Sequence, residues 1–240
     1  MPNSPHSRLD LDTMTHQICF RLDVHASAGS AQTKLMKPEK LFPIFLKLSA
    51  RPCLVVGAGT IAESKIASLL EVGARVRVVA PEATPQVRSW AQSNAVEWQQ
   101  RPFEPRDLEG MFLVVAATSS RELHERLFEL ASQRGVLCNI VDVPPLCDFY
   151  YPSVVQRGAL QIAISTAGQS PALAQRLRKE LEDQFGPEYE EWLAQLGEAR
   201  DKLHSTKMDP EERKRLLHEA ASEEAFESFL RNRPRPKRSG

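Results

Sequence analysis

From Leu41 onward the chain alternates between short runs that are apolar throughout and longer stretches that are apolar only at every third or fourth position. Cys53–Val56 (CLVV) is a run of the first kind and predicts a buried strand. Thr60–Leu70 has helical spacing, with Ile61, Ile66, Leu69 and Leu70 apolar, and Gly73 ends it. RVRVVA (Arg75–Ala80) predicts the next strand, Pro85–Gln92 a helix, and Val96–Gln99 a short strand. MFLVVAAT (Met111–Thr118) predicts a further strand. Ser119 and Glu122 have the spacing of a capping box, opening a helix through Ser132 that Gly135 closes. VLCNIVD (Val136–Asp142) predicts the last strand of the set. Strands that are apolar on both faces and separated by helices imply a parallel sheet covered on both sides. The fold class is therefore α/β, a Rossmann-type doubly wound parallel sheet.

After Asp142 the pattern changes. FYYPSVV and LQIAIS are separated only by Gln156-Arg157-Gly158 and predict an antiparallel hairpin. Ser170 and Pro171 open a helix over Ala172–Phe185, Gly186-Pro187 breaks it, and Glu188–His204 predicts a second. Asp209, Pro210 and Glu212 mark a third start, with helical spacing to about Phe229. Upstream, LFPIFLKL reads as an extended segment. Residues 1–40 show no sustained period, apart from a short ordered piece expected around Ile18–Leu22. The expected division is a loose extension (1–40), a nucleotide-binding Rossmann domain (41–151), a small hairpin and helix region (152–182), a helical region (183–230) and a basic tail (231–240).

Composition narrows the function classes. Hydrophobic residues make up 42% and charged residues 26% of the chain, an ordinary globular balance, and the formal net charge is zero. No global field attracts nucleic acid or an anionic membrane. Only RNRPRPKRSG departs from this, where Arg231, Arg233, Arg235, Lys237 and Arg238 meet no acid; by composition it is a solvated, disordered tail. Cys19, Cys53, Cys138 and Cys147 form neither a C-x-x-C pair nor a zinc-like spacing. No signal-peptide core and no run near the ~20 apolar residues of a membrane span occur, so a reducing cytoplasm is expected. With no histidine pair, carboxylate cluster, G-x-x-x-x-G-K-[ST] or G-x-S-x-G, a resident metal, phosphoryl transfer and serine hydrolysis lose support.

The chemistry concentrates at the strand ends. Gly57, Gly59 and Ala62 match G-x-G-x-x-A between a strand and a helix. The first glycine allows the tight turn, the second lets the backbone approach a pyrophosphate, and the small third residue lets the helix pack closely. Amides at the helix start, from Thr60, Ile61 and Ala62, face the phosphate charge. Pro81 and Glu82 end the second strand, where a carboxylate can hold the ribose hydroxyls. No arginine follows at once to receive a 2′-phosphate, though Arg88 stands within the next turn, and this favours NAD over NADP. Thr118 ends the strand at Met111–Thr118 on the same side. Asp142 ends the last strand, and two readings stay open for it: a general base, or a carboxylate capping the turn at Val143-Pro144-Pro145. STAGQSP (Ser165–Pro171) is likewise either an anion-receiving loop or an ordinary capped helix start. Arg176, Arg178 and Lys179 on the following helix would suit a polycarboxylate. His124, beside Glu125 on a helix, reads as part of a solvated face.

Together these segments resemble the precorrin-2 dehydrogenase family, including the dehydrogenase/ferrochelatase module of siroheme synthase. The resemblance runs from about Leu41 to about Leu203. It is carried by FPIFLKLSARPCLVVGAGTIAESK, VVAPE, LVVAATSS, CNIVDVPPLCDFYYPSVVQRG and LQIAISTAGQSPALAQRLRKELE. The N-x-V-D, F-x-x-P-[SA]-x-x-x-R-G and I-S-T-x-G-x-S-P patterns are not general Rossmann features. The resemblance implies NAD-dependent oxidation of precorrin-2 to sirohydrochlorin, on the route to siroheme or cobalamin. It also implies a homodimer paired through about Pro152–Leu181. Asp142 falls on the family's functional aspartate, and Ser165 and Thr166 on the hydroxyl pair of its tetrapyrrole pocket, with Arg176 beside them. Some members also insert Fe2+, and no motif here separates them. The methyltransferase domain of the trifunctional enzymes has no counterpart in this chain. The competing reading is an NAD(H)-binding regulatory module, which needs neither Asp142 nor STAGQSP. A different small-molecule dehydrogenase would show a histidine or a lysine–tyrosine pair, and none is evident.

Overall fold

The computed structural model describes residues 40–233. The expected piece at Ile18–Leu22, Cys19 and the tail beyond Arg233 lie outside the described residues. Five parallel strands form one sheet: β1 (Pro52–Val56), β2 (Arg75–Val79), β3 (Val96–Gln99), β4 (Leu113–Ala116) and β5 (Leu137–Ile140), in the order β3-β2-β1-β4-β5. The chain winds outward from β1 to β3, then crosses back to place β4 on the other side of β1. This reversal leaves a crevice at the carboxyl ends of β1 and β4, where doubly wound sheets receive ligands.

Three helices cover the sheet: α1 (Thr60–Glu71), α2 (Pro85–Gln92) and α3 (Arg121–Arg134). The central strands β1 and β4 are apolar throughout because both of their faces are buried. Cys53 and Val55 of β1 join Ala62, Ile66 and Leu69 of α1 in one core, while Leu54 and Val56 join Leu127 and Ala131 of α3 in the other. α3 is capped by Ser120 rather than by the expected Ser119: the Ser120 hydroxyl accepts from the Leu123 amide at 3.3 Å. Gly135 closes α3 in the left-handed region, at φ 65°. β4 and β5 are shorter than their apolar runs, and the chain leaves the ladder before Thr118 and Asp142. LFPIFLKL takes no regular element, and Phe42 and Phe45 are largely exposed.

The hairpin consists of β6 (Ser153–Arg157) and β7 (Leu160–Ile164). Arg157 pairs with Leu160, so the loop is Gly158-Ala159 and not Gln156-Arg157-Gly158. Gly158 supplies the positive φ (55°) there. Then come α4 (Pro171–Gln184), α5 (Glu188–Ser205), α6 (Pro210–Ala220) and α7 (Glu223–Asn232). Asp209 caps α6 by accepting from the Glu211 and Glu212 amides. The helix expected to run to Phe229 breaks at Ala221, because the Ser222 hydroxyl accepts from the Ala225 amide and starts α7 afresh. α7 also extends into the expected tail. Arg231 is helical and lies 3.5 Å from Glu227, and Arg233 reaches Glu191 at 2.9 Å, so these two arginines do meet acids.

Candidate active site

The turn after β1 is fixed by backbone geometry. Gly57 has φ 104° and donates its amide to the Val79 carbonyl at 2.9 Å. A Cβ on Gly57 would lie 2.4 Å from the Ala117 carbonyl oxygen, so only glycine fits between β1 and the end of β4. Gly59 differs. Its φ of −80° suits any residue, it caps α1 without a side-chain bond, and nothing lies within 4 Å of where its Cβ would stand. The space beside Gly59 at the start of α1 is therefore open, a fit for a pyrophosphate approaching the first-turn amides. Ala62 is fully buried, which lets α1 lie close to the sheet, whereas Thr60 and Ile61 are exposed beside the turn. The Thr84 amide donates to the Ala58 carbonyl at 3.0 Å, and the Thr84 hydroxyl donates to Glu63 at 2.7 Å. These bonds stitch the loop after β2, with exposed Pro81 and Glu82, to the glycine turn.

Thr118 emerges at the same edge, and it carries the main correction at the site. His124 does not lie on a solvated face. It is 7% exposed, and its Nε2 is 2.9 Å from both the hydroxyl and the carbonyl oxygen of Thr118. A signal for this was present in the sequence, since His124, Leu127 and Ala131 form one buried stripe of α3 at helical spacing.

Strand register brings Asp142 to this edge. Val56, Ala116 and Ile140 are partners across β1, β4 and β5, and the Val141 amide donates to the Ala116 carbonyl at 2.9 Å. Asp142 follows with φ 61°, exposed. Among the described residues its carboxylate accepts no hydrogen bond, so it does not cap the following turn. The loop beyond it is held from below. Cys147–Phe149 returns antiparallel to β5, with the Asp148 amide donating to the Cys138 carbonyl at 2.7 Å and the Cys138 amide to the Asp148 carboxylate at 2.8 Å. Buried Asn139 donates to the Phe149 carbonyl at 2.8 Å. The asparagine of N-x-V-D thus clamps the loop that presents the aspartate.

Sequence reasoning missed Lys65. It lies on α1, its Nζ is 3.9 Å from the centre of the Tyr151 ring, and its charge interacts with that of Asp142. Burial pulls the ammonium pKa below the usual lysine range and outweighs the opposing Asp142 charge. Burial likewise pushes the Tyr151 phenol up to about 12, the buried Cys53 thiol beside it adding to the effect. Nothing in the local sequence around Lys65 marks this, because its partners come from the far end of the domain.

The structure does not bring Ser165, Thr166 or Arg176 to this edge through any hydrogen bond or ion pair. The Ser165 hydroxyl accepts from the Ala167 amide and the Thr166 hydroxyl from the Ser170 amide, both at 3.1 Å. Ser170 caps α4, and Ala167 and Gly168 are left-handed at φ 50° and 79°. Each hydroxyl keeps its proton available to a ligand. Arg176 pairs with Glu180 at 2.5 Å on the exposed face of α4. One cleft of about 420 Å³ lies between α5 and α7, and one of about 480 Å³ lies at the amino ends of β1–β3. Neither adjoins the glycine turn. Among the described residues no group of three or more histidines, cysteines or acids could hold a metal ion, and no helix is long and apolar enough to cross a membrane.

Comparison with known proteins agrees with this geometry. Residues 44–153 match the "Putative NAD(P)-binding" family, and residues 157–184 match "Sirohaem biosynthesis protein central". The siroheme synthase of Nitrosococcus oceani is 43% identical over 140 residues, 58% of this chain and 30% of that protein. That of Thioalkalivibrio sulfidiphilus is 36% identical over 192 residues, 80% of this chain and 39% of its own length. This chain thus spans 30–39% of these relatives. The solved structure of SirC, a precorrin-2 dehydrogenase, superposes with a TM-score of 0.71 at 27% identity, covering 79% of this chain and 94% of that one. The α/β sheet with its small hairpin and helices is thus shared with SirC, and the chain is similar along residues 44–184 to NAD(P)-binding and sirohaem-biosynthesis families and to part of the siroheme synthases.

Proposed function

We propose that the protein oxidises precorrin-2 to sirohydrochlorin with NAD, in a homodimer of the cytoplasm. One observation carries the reading: Asp142, its carboxylate unbonded by the protein, stands at the same strand-end edge as the open glycine turn. NAD, when bound, accepts the hydride. The first turn of α1 holds the pyrophosphate and Glu82 the ribose. Arg88 supports NAD over NADP, because its guanidinium already donates to the Ala83 carbonyl at 3.0 Å and lies over the Trp98 ring. His124 fixes Thr118 beside the turn. Asp142 takes the proton that leaves as the substrate's C–H bond gives up its hydride, so that two hydrogens depart as one hydride and one proton.

The tetrapyrrole's carboxylates suit the hydroxyls of Ser165 and Thr166 and the guanidinium of Arg176. The second copy is supported by the hairpin. A two-stranded sheet is marginal alone, and Val154 and Leu173 are 36% and 39% exposed in this region. The division at 41–151, 152–182 and 183–230 belongs to this reading, with the middle segment pairing the two copies. Anaerobic incubation with precorrin-2, with and without NAD and with and without Fe2+, tests it. Sirohydrochlorin forms only with NAD. Siroheme appearing faster than in an enzyme-free control adds iron insertion. Bound NAD with unchanged precorrin-2 instead identifies a regulatory nucleotide module.

A further inference from the structure

Lys65 holds an unusual position for a lysine. Its ammonium is partly withdrawn from water over the face of Tyr151 at 3.9 Å, yet among the described residues no carboxylate lies within ion-pair reach and no acceptor takes any of its donors. A desolvated ammonium has three donors to satisfy, and an aromatic face satisfies none of them as a hydrogen bond does. The Asp142 charge acts on it, and Tyr151 is braced by Phe149, with ring centroids 5.9 Å apart. Phe149 is in turn anchored through its carbonyl to Asn139. The lysine is therefore built into the same clamp that presents Asp142, with its charged end unengaged.

We infer that Lys65 is a substrate-binding residue, whose ammonium receives one carboxylate of an anionic polycarboxylate substrate beside Asp142. This rests on the dehydrogenase reading above and adds a contact to it. An acetate or propionate held there would fix the ring next to the base, and a neutral analogue would lose that hold. α1 links the two ligands: its first turn faces the nucleotide, and Lys65 lies six residues beyond Gly59, about 9 Å along the axis.

The test compares wild type, Lys65→Met and Lys65→Arg. Titrations use NAD, sirohydrochlorin and fully esterified sirohydrochlorin, alongside precorrin-2 kinetics. Lys65→Met is expected to weaken sirohydrochlorin and raise the precorrin-2 KM by ~10- to 100-fold, the range for a charge-assisted hydrogen bond. NAD affinity and ester affinity should stay as in wild type, and Lys65→Arg should recover most of the loss. Unchanged sirohydrochlorin affinity in Lys65→Met overturns the inference while leaving the dehydrogenase reading intact. A parallel loss of NAD affinity overturns it too, by assigning Lys65 to the nucleotide. If wild type itself neither binds sirohydrochlorin nor oxidises precorrin-2, the dehydrogenase reading fails, and this inference fails with it.

Discussion

His124 Nε2 lies 2.9 Å from both oxygens of Thr118, and so ties the first turns of α3 to the end of β4. The histidine is buried, and its ring connects a helix in the protein's core to a residue beside the glycine turn. Replacing it by phenylalanine keeps much of the bulk but removes the bond. We expect NAD affinity to fall about 3- to 10-fold, the size of one hydrogen bond. The unfolding free energy should fall by roughly 1–3 kcal/mol, because a buried polar partner is left unpaired. Calorimetric titration with NAD and chemical denaturation check the two effects separately.

The two glycines of the turn should fail in different ways. Gly57→Ala puts a methyl 2.4 Å from the Ala117 carbonyl at φ 104°, so the sheet itself must shift. A loss of about 2–4 kcal/mol of stability is expected, as for other overpacked or left-handed sites. Gly59→Ala meets no protein atom and has an ordinary φ. Its thermal midpoint should match wild type, while NAD binding falls at least about tenfold because the methyl occupies the pyrophosphate's approach. A Gly59→Ala protein that binds NAD normally would place the nucleotide elsewhere.

Asp107 gives the protein an acid-sensitive joint away from the site. The carboxylate is 3% exposed, bonded twice by Arg101 at 2.6 and 2.9 Å, and accepts the Glu104 amide at 2.8 Å. Burial alone would raise its pKa, but the Arg101 bonds, the Glu104 amide and the nearby arginine charges together hold it below the ordinary aspartate value. A depressed folded pKa stabilises the protein above the unfolded carboxylate pKa, and that contribution fades as pH falls through the folded value. Denaturation midpoints should therefore drop as pH is lowered below about 4. Asp107→Asn should be less stable by about 1–3 kcal/mol at neutral pH and show a shallower acid slope.

The thiols offer an independent check on the core. Burial pushes Cys138 up to about 12, with the charges of Asp148 and Cys147 adding to it, and burial pushes Cys53 up to about 11. Both should resist alkylation in the native protein near pH 8 and react once it is unfolded, since the thiolate is the reactive form. Mass spectrometry of alkylated peptides reads this directly.

Much of this architecture was visible in the sequence. Pro85–Gln92 and Val96–Gln99 match their observed bounds, and a proline at the first helical position leaves the helix start little choice. The edge residues Gly57, Thr118 and Asp142 were also legible, since strand ends mark the ligand edge of any doubly wound sheet. Boundaries set by one hydroxyl were not. Ser119 and Ser120 are adjacent, and only the backbone decides which one reaches the Leu123 amide. Similarly, Ser222 splits a helix whose spacing looks continuous. The stripe His124, Leu127 and Ala131 marks His124 as buried, but the bonding partners of His124 and Lys65 were missed for a different reason. Their partners, Thr118, Tyr151 and Asp142, come from other elements, and polarity along one helix does not reveal them.

The role proposed for Asp142 is that of the base beside a bound nicotinamide. Its most direct test is the rate of NADH formation from precorrin-2 in wild type and Asp142→Ala, both saturated with NAD, under anaerobic conditions. Loss of a general base typically costs about 10²- to 10⁴-fold. A drop of that size is expected, with NAD affinity and thermal midpoint unchanged. NADH formation by Asp142→Ala at near the wild-type rate would contradict it.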